Sequence, residues 1–380
     1  MRVGIDASAM LIARKNGYEN YSTSLILALA NLSDDQLKGM EIYLYFYAGN
    51  VLADKALIKE YLSGLSRFTT RIHRLKQGYS YSLAWWSRLD RLDLLHMPVY
   101  IFQSPLKCKI VTTFHDACCM RAIKDGIPIP EIDGMREQIN KQIAISDAFI
   151  AVSNNTKEDL QALYDIPESR IGVVYHGVSN AFHPDLDAAA EVKKIYNLPP
   201  YILSVNALQW NKNYSRLFQA FAKLREKYHI PHVFVVVGRE GWGAAEVYCE
   251  LERLHLGEAV RMIGYVPQEH LIGLYSGASL VVNASLCEGF GLPVLEALAC
   301  GAIVAVAQNT SLPEVGGSAV ACFDPLDINA MVDVIYTALT NEQLRQALRS
   351  ASAGQVSKFT WTQTALNTLS IYKGNGIVYK

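Results

Sequence analysis

Short apolar runs, each followed by a turn and then by an amphipathic stretch, recur along the whole chain. Runs of this length, bounded by Gly, Pro, Asn or Asp, are typical of strands that are buried on both faces of a parallel sheet. The pattern therefore predicts an α/β protein built from repeated strand–helix units. The predicted strands are 3–7, 41–47, 94–96, 110–114, 147–153 and 171–175, followed by 201–205, 232–238, 280–284 and 304–306.

The units restart after a proline-rich stretch, residues 183–200, which surrounds a charged helix. A chain of 380 residues is also longer than a usual domain with a single hydrophobic core. We therefore predict two doubly wound, Rossmann-like β/α/β domains with a cleft between them, residues 1–182 and 201–358, joined by a linker at 183–200. Residues 359–380 are predicted to contain a C-terminal helix.

One segment, residues 288–301, combines the signals of a ligand site. Its sequence is EGFGLPVLEALACG, and it follows a predicted strand. Two glycines give a tight turn, Pro293 suits the first position of a helix, and Gly301 suits the position just past the helix end. Ligands bind beyond the carboxyl ends of parallel strands. Glu288 on the turn and Glu296 in the helix are therefore predicted to line a ligand site.

This segment resembles the E-x7-E motif of the retaining GT-B glycosyltransferases of family 4. Other stretches are similar to that family as well, namely His115-Asp116 after a strand, Lys212-Asn213 before a helix, and the P-E-V-G sequence at 313–316. The resemblance covers nearly the whole chain. It implies the two-domain GT-B fold, with the C-terminal helix crossing back to the first domain. It also implies glycosyl transfer from a nucleotide-diphospho-sugar, without a metal or other cofactor.

The resemblance also implies roles for single positions. Glu288 contacts the transferred sugar, His115 hydrogen-bonds it, and Lys212 holds the diphosphate. Glu296 takes the ribose hydroxyls, and Asp116 is expected to orient the His115 ring. The other predicted donor- and nucleotide-binding residues are Gly17, Arg239, Gly264, Tyr265, Val266, Gly289, Phe290, Gly291 and Leu292.

Two stretches of the chain depart from the family's pattern. The family has G-R-L ahead of the lysine, and its arginine shares the charge of the diphosphate, whereas this chain has Asn206-Ala207-Leu208. One cation is a weak arrangement for a diphosphate leaving group. Either another base reaches the diphosphate, with Arg239 and Lys15 as candidates, or activity is low, or the donor is seated differently. In the first loop, Glu19-Asn20 replaces a glycine and a basic residue.

Charge and hydropathy limit the partners. The formal net charge of -1 argues against a nucleic-acid partner. No apolar run reaches the length of a spanning helix, and the first residues have the pattern of a strand rather than of a signal peptide, so we expect a cytoplasmic protein. Residues 67–91 are basic and aromatic. Two interpretations stay open, either peripheral attachment to the inner face of a membrane or a solvated helix with Trp85 and Trp86 in the core.

The leading hypothesis is a retaining hexosyltransferase in cell-surface polysaccharide biosynthesis. Its expected donor is GDP-mannose or a UDP-hexose, and its expected acceptor is a glycan or a lipid-linked sugar. In the front-side displacement that the family implies, the leaving phosphate oxygen removes the proton of the acceptor, so no covalent nucleophile is needed. The alternatives are a sugar-nucleotide epimerase on the same fold, or a nucleotide-binding protein with a decayed catalytic site.

Overall fold

The computed structural model describes residues 1–12, 17–48, 64–74, 79–99, 106–124 and 132–379. The chain divides into two compact units. The first unit consists of Met1–Gly177 together with Trp361–Lys380, and the second consists of Val178–Thr360. Each unit has its own parallel sheet and its own buried apolar residues, as a doubly wound α/β domain requires.

The first unit is built on seven parallel strands. They are β1 Arg2–Asp6, β2 Glu41–Ala48, β3 Thr69–Arg74, β4 Leu94–Met97, β5 Lys109–Phe114, β6 Ala148–Ala151 and β7 Ile171–Val173. Their order in the sheet is β3-β2-β1-β4-β5-β6-β7. The helices are α1 Gly17–Ala30, α2 Tyr79–Leu89, α3 Cys118–Lys124, α4 Ile132–Ile145 and α5 Asn154–Tyr164, with the C-terminal helix Trp361–Tyr372. Ser153 caps α5 by accepting from the Thr156 N–H at 3.0 Å, as the capping pattern requires.

The second unit is built on six parallel strands. They are β8 Tyr201–Val205, β9 Val233–Val237, β10 Val260–Gly264, β11 Leu280–Asn283, β12 Val304–Ala307 and β13 Val320–Phe323. Their order is β10-β9-β8-β11-β12-β13. The helices are α6 Leu186–Ile195, α7 Tyr214–Tyr228, α8 Ala244–Arg253, α9 Gln268–Gly277, α10 Leu292–Ala299, α11 Leu312–Gly316, α12 Ile328–Thr340 and α13 Glu342–Val356. All five residues of β9 are buried, because helices cover both faces of a doubly wound sheet.

Each sheet has one point at which the strand order reverses. In the first unit this point lies between β1 and β4, and in the second unit it lies between β8 and β11. Loops on either side of such a point leave toward opposite faces, which opens a crevice at the carboxyl ends of the strands. In the second unit, the turns that follow β8 and β11 therefore flank a crevice suited to a ligand.

The basic and aromatic segment 67–91 contains a strand that the apolar pattern did not predict. β3 is an edge strand, and its Arg71 guanidinium pairs with Asp90 at 2.7 Å and lies over the Trp86 ring. Trp86 is partly buried, but Trp85 on α2 is 58% exposed, so the interpretation that placed both tryptophans in the core is wrong for Trp85. No helix in the described ranges combines the length and hydropathy that crossing a bilayer requires.

Residues 183–200, predicted as a linker, belong to the second unit, and the division of the chain falls at Gly177. The Asp185 side chain caps α6 by accepting from the Ala188 N–H at 2.9 Å. α6 packs against α9, where a Cβ on Gly273 would lie 2.5 Å from the Ala188 carbonyl oxygen. The glycine therefore allows close contact between the two helices. Residues 118–130 were predicted as a loop, but 118–124 form α3, and 125–131 lie outside the described residues.

Candidate active site

Lys212 is positioned by a short turn after β8. Trp210–Lys212 form one 3₁₀ turn. The Asn211 side chain donates to the carbonyl oxygen of Cys287 at 3.1 Å, and the Asn211 carbonyl accepts from the Leu286 N–H at 2.7 Å. These two bonds tie the turn after β8 to the turn after β11. Lys212 is thereby held at the edge of the crevice between the two strands.

Glu288 lies on the turn after β11, where it meets Lys212. Lys212 Nζ donates to Glu288 Oε1 at 2.7 Å, and Ser285 Oγ lies 2.9 Å from the same oxygen. The two charged side chains are 13% and 14% exposed. Ser311 Oγ holds the turn, lying 3.1 Å from the Glu288 carbonyl oxygen and 3.0 Å from that of Phe290. The residue expected to contact the sugar and the cation expected to hold the diphosphate thus form one partly buried ion pair.

The turn from Gly289 to Leu292 connects Glu288 to α10. Gly291 has φ 100°, and a Cβ on it would lie 2.4 Å from a methyl group of Leu312, so only glycine fits. α10 begins at Leu292 with Pro293 in its first turn, and Gly301 beyond its end has φ 75°. The predicted positions of the glycine turn and of the helix end are confirmed, whereas Pro293 is the second residue of the helix and not the first.

Glu296 lies inside α10, on the side that faces α9. Tyr275 of α9 donates to Glu296 Oε2 at 3.1 Å. Burial raises the pKa of the Glu296 carboxyl from 4.5 to about 7, while the Tyr275 hydrogen bond acts in the opposite direction. Burial also raises the pKa of the Tyr275 hydroxyl, which therefore stays protonated and remains the donor. Near neutral pH the carboxyl exchanges between its charged and neutral forms, and it can accept hydrogen bonds from hydroxyl groups.

Arg239, Gly264 and Tyr265 line one pocket of about 330 Å³ at the carboxyl ends of β9 and β10. Pockets of this size accommodate small ligands. Val266, predicted alongside them, has a buried side chain that packs in the core of the second unit. The structure therefore brings three of the predicted nucleotide residues together, while the Val266 side chain is a core residue.

Arg239 lies beside the position where the family has its arginine. Gly238 has φ 152°, and a Cβ there would lie 2.1 Å from the Asn206 carbonyl oxygen, so glycine is required for the strand ends to approach. The Leu208 N–H donates to the Arg239 carbonyl oxygen at 2.9 Å. The backbone of Arg239 is therefore hydrogen-bonded to the residue next to Ala207. Its side chain is exposed and forms no ion pair with the described part of the chain.

His115 directly follows β5 in the first unit and is 5% exposed. Its Nε2 lies 2.7 Å from the Pro98 carbonyl oxygen, which can only accept, so Nε2 carries the proton and Nδ1 is the acceptor. Burial lowers the pKa of the ring to about 4. Tyr18 and Tyr21 each pack against this ring, with centroids 4.8 Å away. His115 is therefore a neutral, oriented hydrogen-bond acceptor at physiological pH.

Asp116 does not orient the His115 ring. Its carboxylate accepts instead from the Tyr18 hydroxyl at 2.8 Å and from the Cys118 N–H at 3.0 Å. The predicted His–Asp contact is therefore wrong, since the Pro98 carbonyl takes that place.

Gly17 is the first residue of α1, and a Cβ on it would meet no atom within 4 Å. Steric contacts therefore do not require a glycine at this position. Lys15, the second candidate cation for the diphosphate, lies outside the described residues.

A buried hydrogen-bonded chain supports Tyr21 from below. Tyr21 OH lies 3.2 Å from Thr113 Oγ1, which lies 2.8 Å from His96 Nε2. His96 Nδ1 lies 2.6 Å from the hydroxyl of Tyr372, on the C-terminal helix. Burial lowers the pKa of His96 to about 3, so the His96 ring in this row of hydrogen-bonded side chains is neutral. The C-terminal helix is thereby anchored to the sheet that carries His115.

Several site residues were not predicted from the sequence. Ser285 supports Glu288, Tyr275 supports Glu296, and Ser311 fixes the turn between them. Ser285 had a signal, because a small polar residue directly follows the end of a buried strand. Tyr275 had a weaker signal, a single hydroxyl in an otherwise apolar helix face. No local signal identifies Ser311, because its partners lie more than twenty residues away in sequence.

The matched families agree with this geometry. Residues 187–355 match the family described as glycosyl transferases group 1, and residues 16–182 match glycosyltransferase family 4. The two matches together span most of the chain. Two Rossmann-like units, each matched by a glycosyltransferase family, identify the chain as a GT-B glycosyltransferase. The chain belongs to glycosyltransferase family 4, and the predicted family and fold class are confirmed.

The chain is similar to bacterial mannosyltransferases. It is 29% identical to O-antigen chain mannosyltransferase B of Escherichia coli over 292 residues, which cover 76% of each protein. It is 32% identical over 237 residues to the serotype-specific mannosyltransferase WbdA of Escherichia coli, covering 58% of this chain and 28% of WbdA. The chain thus spans little more than a quarter of that relative.

A solved structure has the same fold. The crystal structure of WaaG, a glycosyltransferase involved in lipopolysaccharide biosynthesis, aligns with 99% of this chain and 100% of WaaG at a TM-score of 0.72. The two sequences are 13% identical, so this likeness concerns the fold alone.

Proposed function

We propose that this glycosyltransferase is a retaining mannosyltransferase that transfers mannose from a nucleotide-diphospho-mannose to a growing cell-surface glycan. The observation that carries the proposal is the Lys212–Glu288 ion pair at the crevice, with Glu296 held by Tyr275 on the next helix. The mannosyltransferase relatives support mannose as the transferred sugar. The O-antigen relative supports a polysaccharide, or its lipid-linked precursor, as the acceptor.

The charge of the donor is met by residues of the second unit. Lys212 binds the diphosphate. Arg239 supplies the second cation, replacing the arginine that the family has at the position of Ala207. The turn from Gly289 to Leu292 adds the amino end of α10, whose N–H groups favour an anion. We propose that these groups make a metal unnecessary. Addition of EDTA to the purified enzyme should then leave the transfer rate unchanged.

The sugar and the ribose are held by separate groups. Glu288 accepts hydrogen bonds from the hydroxyls of the mannose ring. Glu296 accepts from the ribose hydroxyls. These contacts orient the anomeric carbon, and such positioning lowers the entropy cost of the reaction.

The reaction proceeds on one face of the sugar. The bond between the anomeric carbon and the diphosphate oxygen breaks, and a bond to the acceptor hydroxyl oxygen forms on the same face. The departing phosphate oxygen takes the proton of the acceptor, so the nucleoside diphosphate leaves with that proton. Lys212 and Arg239 stabilise the charge that develops on the diphosphate. Glu288 stabilises the positive charge that develops on the sugar.

A product analysis tests the proposal. The full chain is incubated with GDP-mannose, UDP-glucose and related donors, with and without a mannose-terminated acceptor. The expected product is the acceptor extended by one mannose in the anomeric configuration of the donor, formed only when the acceptor is present. Release of an epimerised nucleotide sugar without acceptor would support the epimerase alternative. An inverted product would overturn the retaining mechanism.

We also propose that the enzyme works at the inner face of a membrane, bound through α2. Trp85 and Leu89 lie four residues apart on this helix and are 58% and 55% exposed. Residues four apart share one helix face. Arg88 and Arg91 beside them are exposed. An apolar face flanked by arginines is typical of helices that lie in the headgroup region of an anionic bilayer.

A further inference from the structure

The second unit holds a pocket that contains a carboxylate with no role in the mechanism proposed above. The pocket has a volume of about 330 Å³ and lies where β8, β9 and β10 end. Leu208 and Met262 contribute apolar surface, and Glu240 contributes a carboxylate. The inference that follows rests on the proposed function, since it takes this pocket as the place of the donor's base.

Glu240 is held in a defined orientation. Its backbone pairs with Leu208 in a parallel bridge, and the Gly241 N–H donates to the Leu208 carbonyl at 3.2 Å. The Tyr248 hydroxyl of α8 donates to Glu240 Oε1 at 2.8 Å. Glu240 forms no ion pair within the described ranges. The Tyr248 hydroxyl therefore fixes the orientation of the carboxylate, and both carboxylate oxygens keep lone pairs that can accept hydrogen bonds from a ligand in the pocket.

A carboxylate only accepts hydrogen bonds, and its two oxygens are matched by two neighbouring donors. Guanine presents two neighbouring donors on one edge, N1–H and the 2-amino group. Uracil and thymine present a single N–H between two carbonyl oxygens, whose lone pairs repel a carboxylate. Adenine and cytosine present an amino group next to an unprotonated ring nitrogen. Only guanine among the common bases therefore offers the pair of donors that Glu240 can satisfy.

The geometry points to guanine as the base of the donor and to Glu240 as the residue that selects it. The carboxylate accepts from guanine N1–H and from the 2-amino group. Leu208 and Met262 contact the faces and edges of the ring. Tyr265, which lines the same pocket and is 66% exposed, provides an aromatic ring against which the base can stack. Tyr248 also lines the pocket, and it acts as a positioning residue because its hydroxyl holds the Glu240 carboxylate.

Binding measurements on the full chain test this assignment. Dissociation constants for GDP, IDP and UDP are measured by calorimetry, because IDP differs from GDP only by the missing 2-amino group. The wild-type protein should bind GDP roughly tenfold or more tightly than IDP or UDP, as expected when a hydrogen bond to a charged group is lost. Glu240→Gln should weaken GDP binding by a similar factor and leave UDP binding within about twofold. Glu252→Gln, an exposed glutamate on α8, is the matched control.

Tyr248→Phe provides a second variant. It removes the hydroxyl that holds Glu240 and should reduce the preference for GDP over IDP, without changing the affinity for UDP. The assignment is overturned if the wild-type protein binds UDP more tightly than GDP, or if Glu240→Gln leaves the GDP affinity unchanged. A protein that transfers mannose from a uridine donor would retain the proposed function and lose the guanine assignment. A protein that binds GDP more tightly than IDP and UDP, but releases an epimerised nucleotide sugar, would keep the guanine assignment and lose the proposed function.

Discussion

Lys212 Nζ lies 2.7 Å from Glu288 Oε1, although the two residues are 76 positions apart in the chain. They meet because β8 and β11 are neighbours at the point where the strand order of the second sheet reverses. The two charges neutralise each other, with 13% and 14% of their side chains exposed. A donor that binds here must therefore compete with Glu288 for Lys212. Removing either charge should affect sugar transfer and nucleotide binding differently.

Glu288→Gln should separate these two effects. The variant keeps the size of the side chain and removes the charge that stabilises the sugar as positive charge develops. We expect kcat to fall by roughly 100-fold, the scale of losing one preorganised electrostatic contact. The affinity for a nucleoside diphosphate should stay the same or increase, because Lys212 no longer pairs with a carboxylate. Steady-state kinetics and calorimetry measure the two quantities.

Glu252→Gln, on the exposed face of α8, is the control for this experiment. A kcat within about twofold of the wild type in Glu288→Gln would contradict the role of Glu288. A parallel loss of nucleotide affinity would instead indicate that the ion pair is needed to shape the site.

An arginine at position 207 should be able to replace Arg239 as the second cation for the diphosphate. The turn of Ala207 is hydrogen-bonded to the backbone of Arg239, so a guanidinium at either position lies near the same strand ends. Arg239→Ala should weaken nucleoside diphosphate binding by roughly tenfold, as expected for a charge-assisted hydrogen bond. The affinity for the free nucleoside should change little. Ala207→Arg in the Arg239→Ala background should restore the diphosphate affinity.

Calorimetry at two salt concentrations measures this prediction, because phosphate contacts weaken as salt rises. Arg261→Ala removes another exposed arginine from the same unit and serves as the control. If Arg239→Ala binds diphosphates as the wild type does, the second cation lies elsewhere.

Membrane binding should depend on the exposed face of α2. Replacement of Trp85 and Leu89 by serine removes two apolar side chains from this face and leaves the nearby arginines intact. We expect binding to vesicles that contain anionic lipid to weaken by roughly tenfold or more, the scale of losing one large apolar contact. Co-sedimentation with anionic and with neutral vesicles measures it. Leu326→Ser is the control, because Leu326 is 62% exposed and lies in the second unit.

Failure of the wild-type protein to bind anionic vesicles would contradict the membrane proposal. Retained binding by the double variant would place the membrane contact on another surface. The soluble transfer assay should be unaffected by the two substitutions, because α2 contributes no residue to the proposed donor site.

Buried strands were predicted well because burial leaves a local signature. The runs 201–205 and 280–284 agree with β8 and β11 to within one residue, since both faces of these strands are covered and nearly every position is apolar. β3 at the sheet edge was missed, because an edge strand can carry Arg71 and other polar side chains without any cost in burial. The basic character of that segment favoured a helix instead.

The contacts of the site were predicted less completely, because side-chain directions depend on neighbours that are distant in sequence. The motif predicted Glu288 and Glu296 correctly as turn and helix residues. The partner of His115 was assigned to Asp116 because the two are adjacent, yet consecutive residues at a strand end point in different directions. The actual partner is the carbonyl oxygen of Pro98, which directly follows the neighbouring strand β4. No pattern within one segment contains that information.

Tyr372→Phe should reveal how the C-terminal helix supports the first unit. The substitution leaves His96 Nδ1 without its partner in a fully buried place. The free energy of unfolding should fall by about 1–3 kcal/mol, the usual cost of an unsatisfied buried group. Urea denaturation measures it. Tyr336→Phe is the control, because the Tyr336 ring stacks on Tyr228 and its hydroxyl makes no hydrogen bond to a described residue. Equal stability of the two variants would contradict the role assigned to Tyr372.

Glu296 should make stability depend on pH in a direction opposite to that of the buried histidines. Burial raises the pKa of its carboxyl from 4.5 to about 7, so the folded protein keeps a proton that the unfolded chain has released between these values. Its contribution to stability is therefore present below about pH 4.5 and is lost as pH rises through 7, by at most about 3 kcal/mol. The pKa values of His96 and His115, near 3 and 4, act oppositely, since their contribution is lost as pH falls below 6.5.

Comparison of the wild type with Glu296→Gln isolates the first effect, because the histidines are common to both proteins. The difference in unfolding free energy should shift in favour of the variant between pH 4.5 and 7 and become constant above that range. The same carboxyl should lose its proton when it accepts the ribose hydroxyls. Calorimetry of nucleotide binding at pH 6.5, in buffers with different ionisation enthalpies, should therefore detect proton release by the wild type and none by the variant. A stability difference that does not vary with pH would show that Glu296 is already ionised in the folded protein.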